Sequence, residues 1–205
     1  MDTIKSDKKM LKDGIIHFFS RKKEYTSLSN FWEGKIRIVD GEQIREYESG
    51  EHCIYGEQYI RIGNLCSDEN KKRLLIEYGN TFIEPSIYKT AIEVKKVNGK
   101  KNEKVNIKKG IFLNDIELNI WQKLRLDVQK GICRWKFDND EQVRQDIIKS
   151  GNKILIHPAM RYSEEKVIKQ VWSGKGVIRN GSIIVLGENR IGNLWMELRN
   201  EMNKS

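Results

Sequence analysis

The sequence predicts an α+β fold, a single compact helix-rich domain with a few short strands, on three observations. Leu118, Trp121, Arg125, Val128 and Ile132 recur at three- and four-residue intervals, so a helix over 115–132 carries one stripe. Short runs rich in isoleucine, at 15–19, 35–39, 153–157 and 182–186, read as strands. Asn189 opens a terminal helix whose apolar face is Ile191, Leu194, Trp195 and Leu198. Long helices with scattered short strands point away from a regular parallel sheet.

The elements follow in order. Residues 1–12 are polar and lysine-rich and are expected to form a flexible amino-terminal segment before a domain over 13–203. The strand over 35–39 ends at an Asp40-Gly41 turn. Ser49 caps a helix carrying Glu51, His52, Tyr55, Gln58, Tyr59 and Ile62, with Glu51 and Tyr55 on one face. A second helix runs over 68–78 and stops at Gly79. The lysine-rich stretch from Lys95 to Lys109 contains Asn98-Gly99, a hairpin turn signal, and is expected to be a hairpin. It reads as a solvated hairpin or as a flap that meets a phosphate or a nucleic-acid backbone. Asp138 with Glu141 gives a capping-box-like start for a helix over 141–150, and Gly151 supplies the stop.

A chain of 205 residues, 38% hydrophobic and 33% charged, is enough for one sizeable domain. No segment approaches the ~18–20 continuous apolar residues of a membrane span, and the polar amino terminus lacks the apolar core of a secretion signal. The cytoplasm, or a host-cell interior, is the expected compartment. Cys53, Cys66 and Cys133 are odd in number and widely spaced, which argues against a disulfide framework or a zinc site. No metal and no cofactor is expected. The formal charge of +9 favours anionic partners such as phosphates, dinucleotides or nucleic acid. Phosphate-binding G-x-x-x-x-G-K-[ST] and G-x-G-x-x-G loops, the H-E-x-x-H metal motif and the G-x-S-x-G nucleophile motif are all absent.

What remains is an ordered series of small motifs. These are Ser29-Asn30-Phe31, Ser49-Gly50-Glu51-His52, Trp121-x-x-x-Arg125 and Lys136-Phe137. Ser150-Gly151, Trp172-Ser173-Gly174-x-Gly176 and Gly187-Glu188-Asn189-Arg190-Ile191-Gly192-Asn193-Leu194-Trp195-Met196, reaching Arg199, follow. In order and spacing the series resembles the NADAR family, over nearly the whole chain from Ile15 to Arg199. The resemblance implies a YbiA-like α+β fold. It also implies hydrolysis of N-glycosidic bonds on phosphorylated ribose compounds, either early riboflavin-pathway intermediates or ADP-ribose attached to guanine in nucleic acid.

Those residue types suit that reaction. Breaking a ribose–nitrogen bond builds positive charge at the anomeric carbon and negative charge on the departing nitrogen. A carboxylate beside the sugar steadies the cation or positions water, and a proton donor assists departure. Glu51, in the first turn of its helix, is the candidate carboxylate. Trp121 and Trp172 are candidates to stack on a base, and Trp121 reads equally well as core. Arg125 and Arg199 are candidates for bidentate phosphate contacts, and Arg125 reads also as a structural ion pair. Gly174, Gly176, Gly187 and Asn189 would bring backbone N–H groups near a phosphate, or form tight turns. Ser29 and Asn30 suit ribose hydroxyls.

A lysine route is open too, because ring-opened ribose is an aldehyde that an amine traps as a Schiff base. Many relatives carry a lysine seven residues after the glutamate, where this chain has Gln58; Lys136 survives and is the second candidate catalytic residue. Relatives also place an aspartate three residues before the tryptophan of W-G-x-G, where this chain has Lys169. Two further readings therefore stand beside the hydrolase: a nucleotide- or ADP-ribose-binding module without turnover, and a basic nucleic-acid binder. The expected partner is a phosphorylated ribose or ADP-ribose-containing small molecule, or ADP-ribosylated nucleic acid.

Overall fold

The structure, a computed structural model, describes residues 2–21 and 23–204. The chain begins with α1 (Asp2–Gly14), β1 (Ile15–His17) and a 3-10 turn (Thr26–Leu28). Next come β2 (Glu33–Asp40), β3 (Gln43–Ser49), α2 (Gly50–Leu65) and α3 (Glu69–Asn80). The helices α4 (Ala91–Val97), α5 (Lys100–Lys108), α6 (Asp115–Asn139) and α7 (Glu141–Lys149) follow. The chain closes with β4 (Ile154–Ile156), α8 (Glu164–Ile168), β5 (Lys175–Arg179), β6 (Ser182–Leu186) and α9 (Arg190–Met202). This is the helix-rich α+β composition that the sequence predicts. Among the described residues no helix is long and apolar enough to cross a membrane.

Two compact units divide the chain: Asn30–Asn139, and the residues up to Ser29 together with those from Asp140 onward. In the first unit β2 and β3 form an antiparallel hairpin paired from Glu33↔Ser49 to Asp40↔Gln43. Alternation sets its faces, with Ile36, Ile38, Arg45 and Tyr47 inward and Lys35, Arg37 and Val39 outward. Helix α2 is buried almost all round and lies against α3, α4 and α6. Its approach to α3 is close because Gly79 has no side chain: a Cβ there would meet the Gly56 carbonyl oxygen at 3.0 Å. Thr90 caps α4 by accepting from Glu93 N, and Asn114 and Glu117 cap α6 reciprocally at 2.9 and 2.7 Å.

One buried ionic network ties the hairpin to α2. Glu57 is fully buried and accepts from Arg45 Nε at 2.7 Å, Arg61 Nε at 2.6 Å and the Tyr47 hydroxyl at 2.7 Å. Arg45 reaches on to Asp40 at 2.8 Å and Gln43 at 2.7 Å. Burial works against the Glu57 charge, but the hydrogen bonds from Arg45, Arg61 and Tyr47 outweigh it and hold the carboxyl below its ordinary value.

In the second unit β1 runs parallel to β4, Ile15 opposite Ile154, and β5–β6 form an antiparallel hairpin. Its two connecting residues, Asn180 and Gly181, have φ of 51 and 72°, the left-handed pair that a type I′ turn requires. Helix α1 packs on this hairpin and on β1, with Gly14 against Ile183. Helix α9 is anchored where Trp195 Nε1 donates to the Leu28 carbonyl at 3.0 Å.

Three local expectations need correcting. The stretch from Lys95 to Lys109 is not a hairpin but the end of α4 and all of α5, with Asn98 closing one helix and Gly99 opening the other. Buried Ala91 and Val94 and half-buried Val97 recur at helical spacing, which overrides the turn dipeptide. The cap of α7 is Asp140, which accepts from Val143 N at 3.2 Å, rather than Asp138, because α6 runs on through Asn139. Strands β3 and β5 were not anticipated; the inward face of β3 carries Arg45, Tyr47 and Ser49, which interrupts the apolar pattern.

Removing one partner from the Glu57 network leaves buried guanidinium charge behind. Glu57→Gln is expected to destabilise the chain by about 3–5 kcal/mol in urea unfolding at neutral pH. Since the folded value of Glu57 is depressed, its contribution is complete above the ordinary carboxylate value of about 4.3 and is lost as pH falls through the folded one. The variant's stability should accordingly fall less steeply with acid than that of the natural chain.

Candidate active site

The Asn30–Asn139 unit gathers acid and base around the start of α2. Ser49 is extended (φ −163°), and its hydroxyl accepts from His52 N, which starts the helix and puts Glu51 in its first turn. The Glu51 backbone N–H donates to the Asn30 carbonyl at 2.9 Å. Gly50 makes this approach feasible, since a Cβ there would lie 2.8–2.9 Å from Asn30 atoms. Asn30 is held in turn by a reciprocal amide pair with Gln129 of α6, at 2.8 and 3.0 Å. His52 pins the other side: Nε2 donates to the Tyr88 carbonyl at 2.9 Å, which leaves Nδ1 to face the Ser49 hydroxyl at 2.7 Å.

Glu51 is 8% exposed. Burial pushes its carboxyl above the ordinary value, and the charges of Lys95 and Arg125 pull it only partly back. Lys95 Nζ lies 3.8 Å from Glu51 Oε2 and 3.4 Å from the Tyr55 hydroxyl, above whose ring it also sits at 5.7 Å. Burial lowers the Lys95 ammonium's value, yet Glu51 and Tyr55 outweigh that and raise it, so the amine is held protonated. Burial lowers Arg125, and the Glu51 charge opposes that shift. The arginine in the α6 stripe thus feels the charge of an acid.

Lys95 is the member of this cluster that sequence reasoning missed. It looks like one lysine among many, and only the helical course of α4 turns it towards α2. Other anticipated residues of this unit take different places. Trp121 is 2% exposed and belongs to the apolar core with Val128 and Ile132. Asn30 spends its side-chain amide on Gln129. Lys136 is buried on the Gln129–Cys133 face of α6, about 16 Å along the axis from Arg125 at 1.5 Å per residue.

In the other unit the anticipated residues make a local framework. Asn189 takes a left-handed conformation (φ 49°), accepts from His157 N at 3.1 Å and donates to the Leu155 carbonyl at 2.8 Å. Gly174 N donates to the His157 carbonyl at 2.9 Å, so that N–H is engaged in backbone pairing. Gly176 pairs with Val185 in the β5–β6 hairpin and packs against Ile15 and Ile156. Arg199 is buried, with NH1 donating to Ser150 Oγ and the Lys153 carbonyl, both at 2.8 Å. Trp172 is half-buried with the Arg190 guanidinium 5.9 Å from its ring centre, and Ser29 is buried. No group of three or more His, Cys, Asp or Glu side chains among the described residues is placed to hold a metal ion.

No protein-family model matches the chain, and no curated protein does. Among solved structures it is similar to the NMR structure of the E. coli protein YbiA, at 19% identity and a TM-score of 0.52. The likeness covers 94% of this chain and 86% of that one. The chain has a YbiA-like fold. At this identity the likeness speaks for the path of the backbone alone. Within the YbiA-like fold the cluster combines a buried acid, a protonated amine, a phenol and a guanidinium.

The opposing pulls on Glu51 can be separated. Lys95→Met removes a charge that lowers the Glu51 carboxyl, so its pKa should rise further in carboxyl 13C NMR titrations. An unchanged or lowered value would show that Lys95 does not act on Glu51.

Proposed function

We propose that the chain is an N-glycosyl hydrolase, cleaving a ribose–nitrogen bond in a phosphorylated ribose, riboflavin-intermediate or ADP-ribose type of substrate. The observation that carries this reading is the enclosed Glu51 carboxyl with a protonated Lys95 3.8 Å away. A carboxyl raised by burial is a stronger base than an exposed one, and it suits either charge stabilisation at the anomeric carbon or removal of a proton from attacking water. As the ribose–nitrogen bond breaks, its electron pair leaves with the nitrogen, and a protonated amine beside the site can donate to it. Water then adds to the oxocarbenium-like carbon and loses its proton to the carboxylate.

The protonated state of Lys95 bears on the covalent alternative. An amine held above its ordinary value is a poor nucleophile and keeps its proton, so Lys95 acts as a hydrogen-bonding cation towards the departing nitrogen rather than as a Schiff-base former. A lysine route would fall to Lys136. Arg125 contributes a fixed positive charge for a phosphate or for the Glu51 carboxylate.

One observation favours ADP-ribosylated nucleic acid as the substrate. The helices α4 and α5 expose Lys96, Lys100, Lys101, Lys104 and Lys108 in the same segment that supplies Lys95. Replacing Lys101, Lys104 and Lys108 by Gln should raise KM for a modified oligonucleotide and leave that for a modified mononucleoside unchanged. Equal responses would remove nucleic acid from the reading.

The hydrolase reading is tested by incubating the chain with ribosyl N-glycosides and detecting released base by mass. Glu51→Gln should lower kcat by roughly 10²–10⁴-fold. Full turnover by the variant would refute the role of Glu51, and binding without release by the natural chain would favour a binding module.

A further inference from the structure

The cation beside Glu51 sits on a side chain that a single ion contact would hold loosely. Lys95 reaches the cluster from α4, one turn after buried Ala91, so its stem leaves the edge of the face that packs on α2. Its side chain is 57% exposed, against 11% for that of Glu51. A long, half-exposed side chain gives up rotamer freedom when it is kept in one place. One ion contact at 3.8 Å, open to water, offsets that loss poorly. An ammonium that has to meet a departing nitrogen therefore needs a further holder.

Tyr55 has the geometry of that holder. It lies four residues after Glu51, one turn along the same face of α2. Its hydroxyl accepts from Lys95 Nζ at 3.4 Å. The ammonium is also 5.7 Å from the ring centre, inside the ~6 Å reach of a cation–π contact. Of the two partners the ring is the fixed one: it packs against the apolar core, with the Phe82 ring 6.4 Å away and tilted by 37°. A neutral phenol, moreover, holds a cation without cancelling it. A carboxylate in the same place would pair with Lys95 outright and draw it from Glu51. A hydroxyl and a ring face leave the charge to act on the acid and on a ligand.

We infer that Tyr55 is a positioning residue, which seats the Lys95 ammonium beside Glu51 through its hydroxyl and its ring face. Glu51 and Tyr55 of α2 and Lys95 of α4 then work as one unit. Arg125 of α6 also acts on Glu51, so a test has to separate the two cations. The effect of the seat on catalysis rests on the hydrolase reading; the seating of Lys95 does not.

A double-mutant cycle on the full chain tests the seat, with the Glu51 carboxyl followed by 13C NMR titration. The Lys95 charge lowers that carboxyl. Tyr55→Leu, which removes hydroxyl and ring together, should therefore raise the Glu51 pKa towards that of Lys95→Met. Tyr55→Phe keeps the ring and should give a smaller rise. In the Lys95→Met chain neither change at position 55 should move Glu51 further. A tyrosine that only packs would shift Glu51 equally with and without the lysine, or not at all, and either result would overturn the inference. Should Tyr55→Leu fail to fold by thermal melting, the cycle runs with Tyr55→Phe, whose rise must likewise vanish in the Lys95→Met chain. On a ribosyl N-glycoside, Tyr55→Leu should lower kcat roughly tenfold and leave KM within twofold. Coupled titrations from a chain that releases no base from any ribosyl substrate would refute the hydrolase reading and leave the seat standing.

Discussion

A carboxyl buried in the first turn of α2, 3.8 Å from the Lys95 ammonium and within the field of the Arg125 charge, is the constraint around which the Asn30–Asn139 unit is arranged. Burial pushes it up, and the charges of Lys95 and Arg125 pull it down. Their balance leaves a carboxyl that is raised yet still attended by positive charge. To keep the acid at that point the chain fixes its backbone from several sides. Asn30 accepts the Glu51 N–H, Gln129 holds Asn30, and Ser49 with His52 sets where the helix begins. These contacts fix the backbone at the start of α2, from which the carboxyl projects.

Helix α2 carries two buried glutamates whose neighbours treat them differently. Glu57 is six residues beyond Glu51 and also buried, but its carboxyl is saturated by Arg45, Arg61 and Tyr47 and is pulled below its ordinary value. Glu51 receives fewer close donors and is pushed the other way. Two glutamates of one helix therefore differ through their neighbours: the satisfied acid locks α2 to the hairpin and is held below its ordinary value, and the other is raised by burial.

Much of this was legible in the residues, and the misses have physical causes. The stripe over 115–132, the Ser49 cap and the Asn189 start all rest on local periodicity or capping, and the structure places helices there. Two Asn-Gly dipeptides show where local reading fails. Asn180-Gly181 lies between Val177-Ile178 and Ile183-Ile184 and forms the hairpin turn, whereas Asn98-Gly99 lies between residues of helical spacing and joins two helices. The dipeptide is neutral, and its flanks decide. Strand β3 was hidden because its inward positions are Arg45, Tyr47 and Ser49, which look polar until Glu57 and His52 are found facing them. Lys95 was hidden for a related reason: charge in a lysine-rich stretch carries no information until the fold selects one member. For Asn189, Gly174 and Arg199, the structure supplies close local hydrogen bonds that a linear motif cannot reveal.

The central claim is that the Glu51 carboxyl faces the anomeric carbon of a bound ribose. A crystal structure of the Glu51→Gln variant soaked with ADP-ribose addresses it most directly, because the substitution keeps the side chain's shape while preventing proton transfer. The account predicts the terminal ribose's anomeric carbon about 3–3.5 Å from the side-chain amide at position 51. A ribose bound elsewhere, with that amide facing only Lys95 and Arg125, would contradict it.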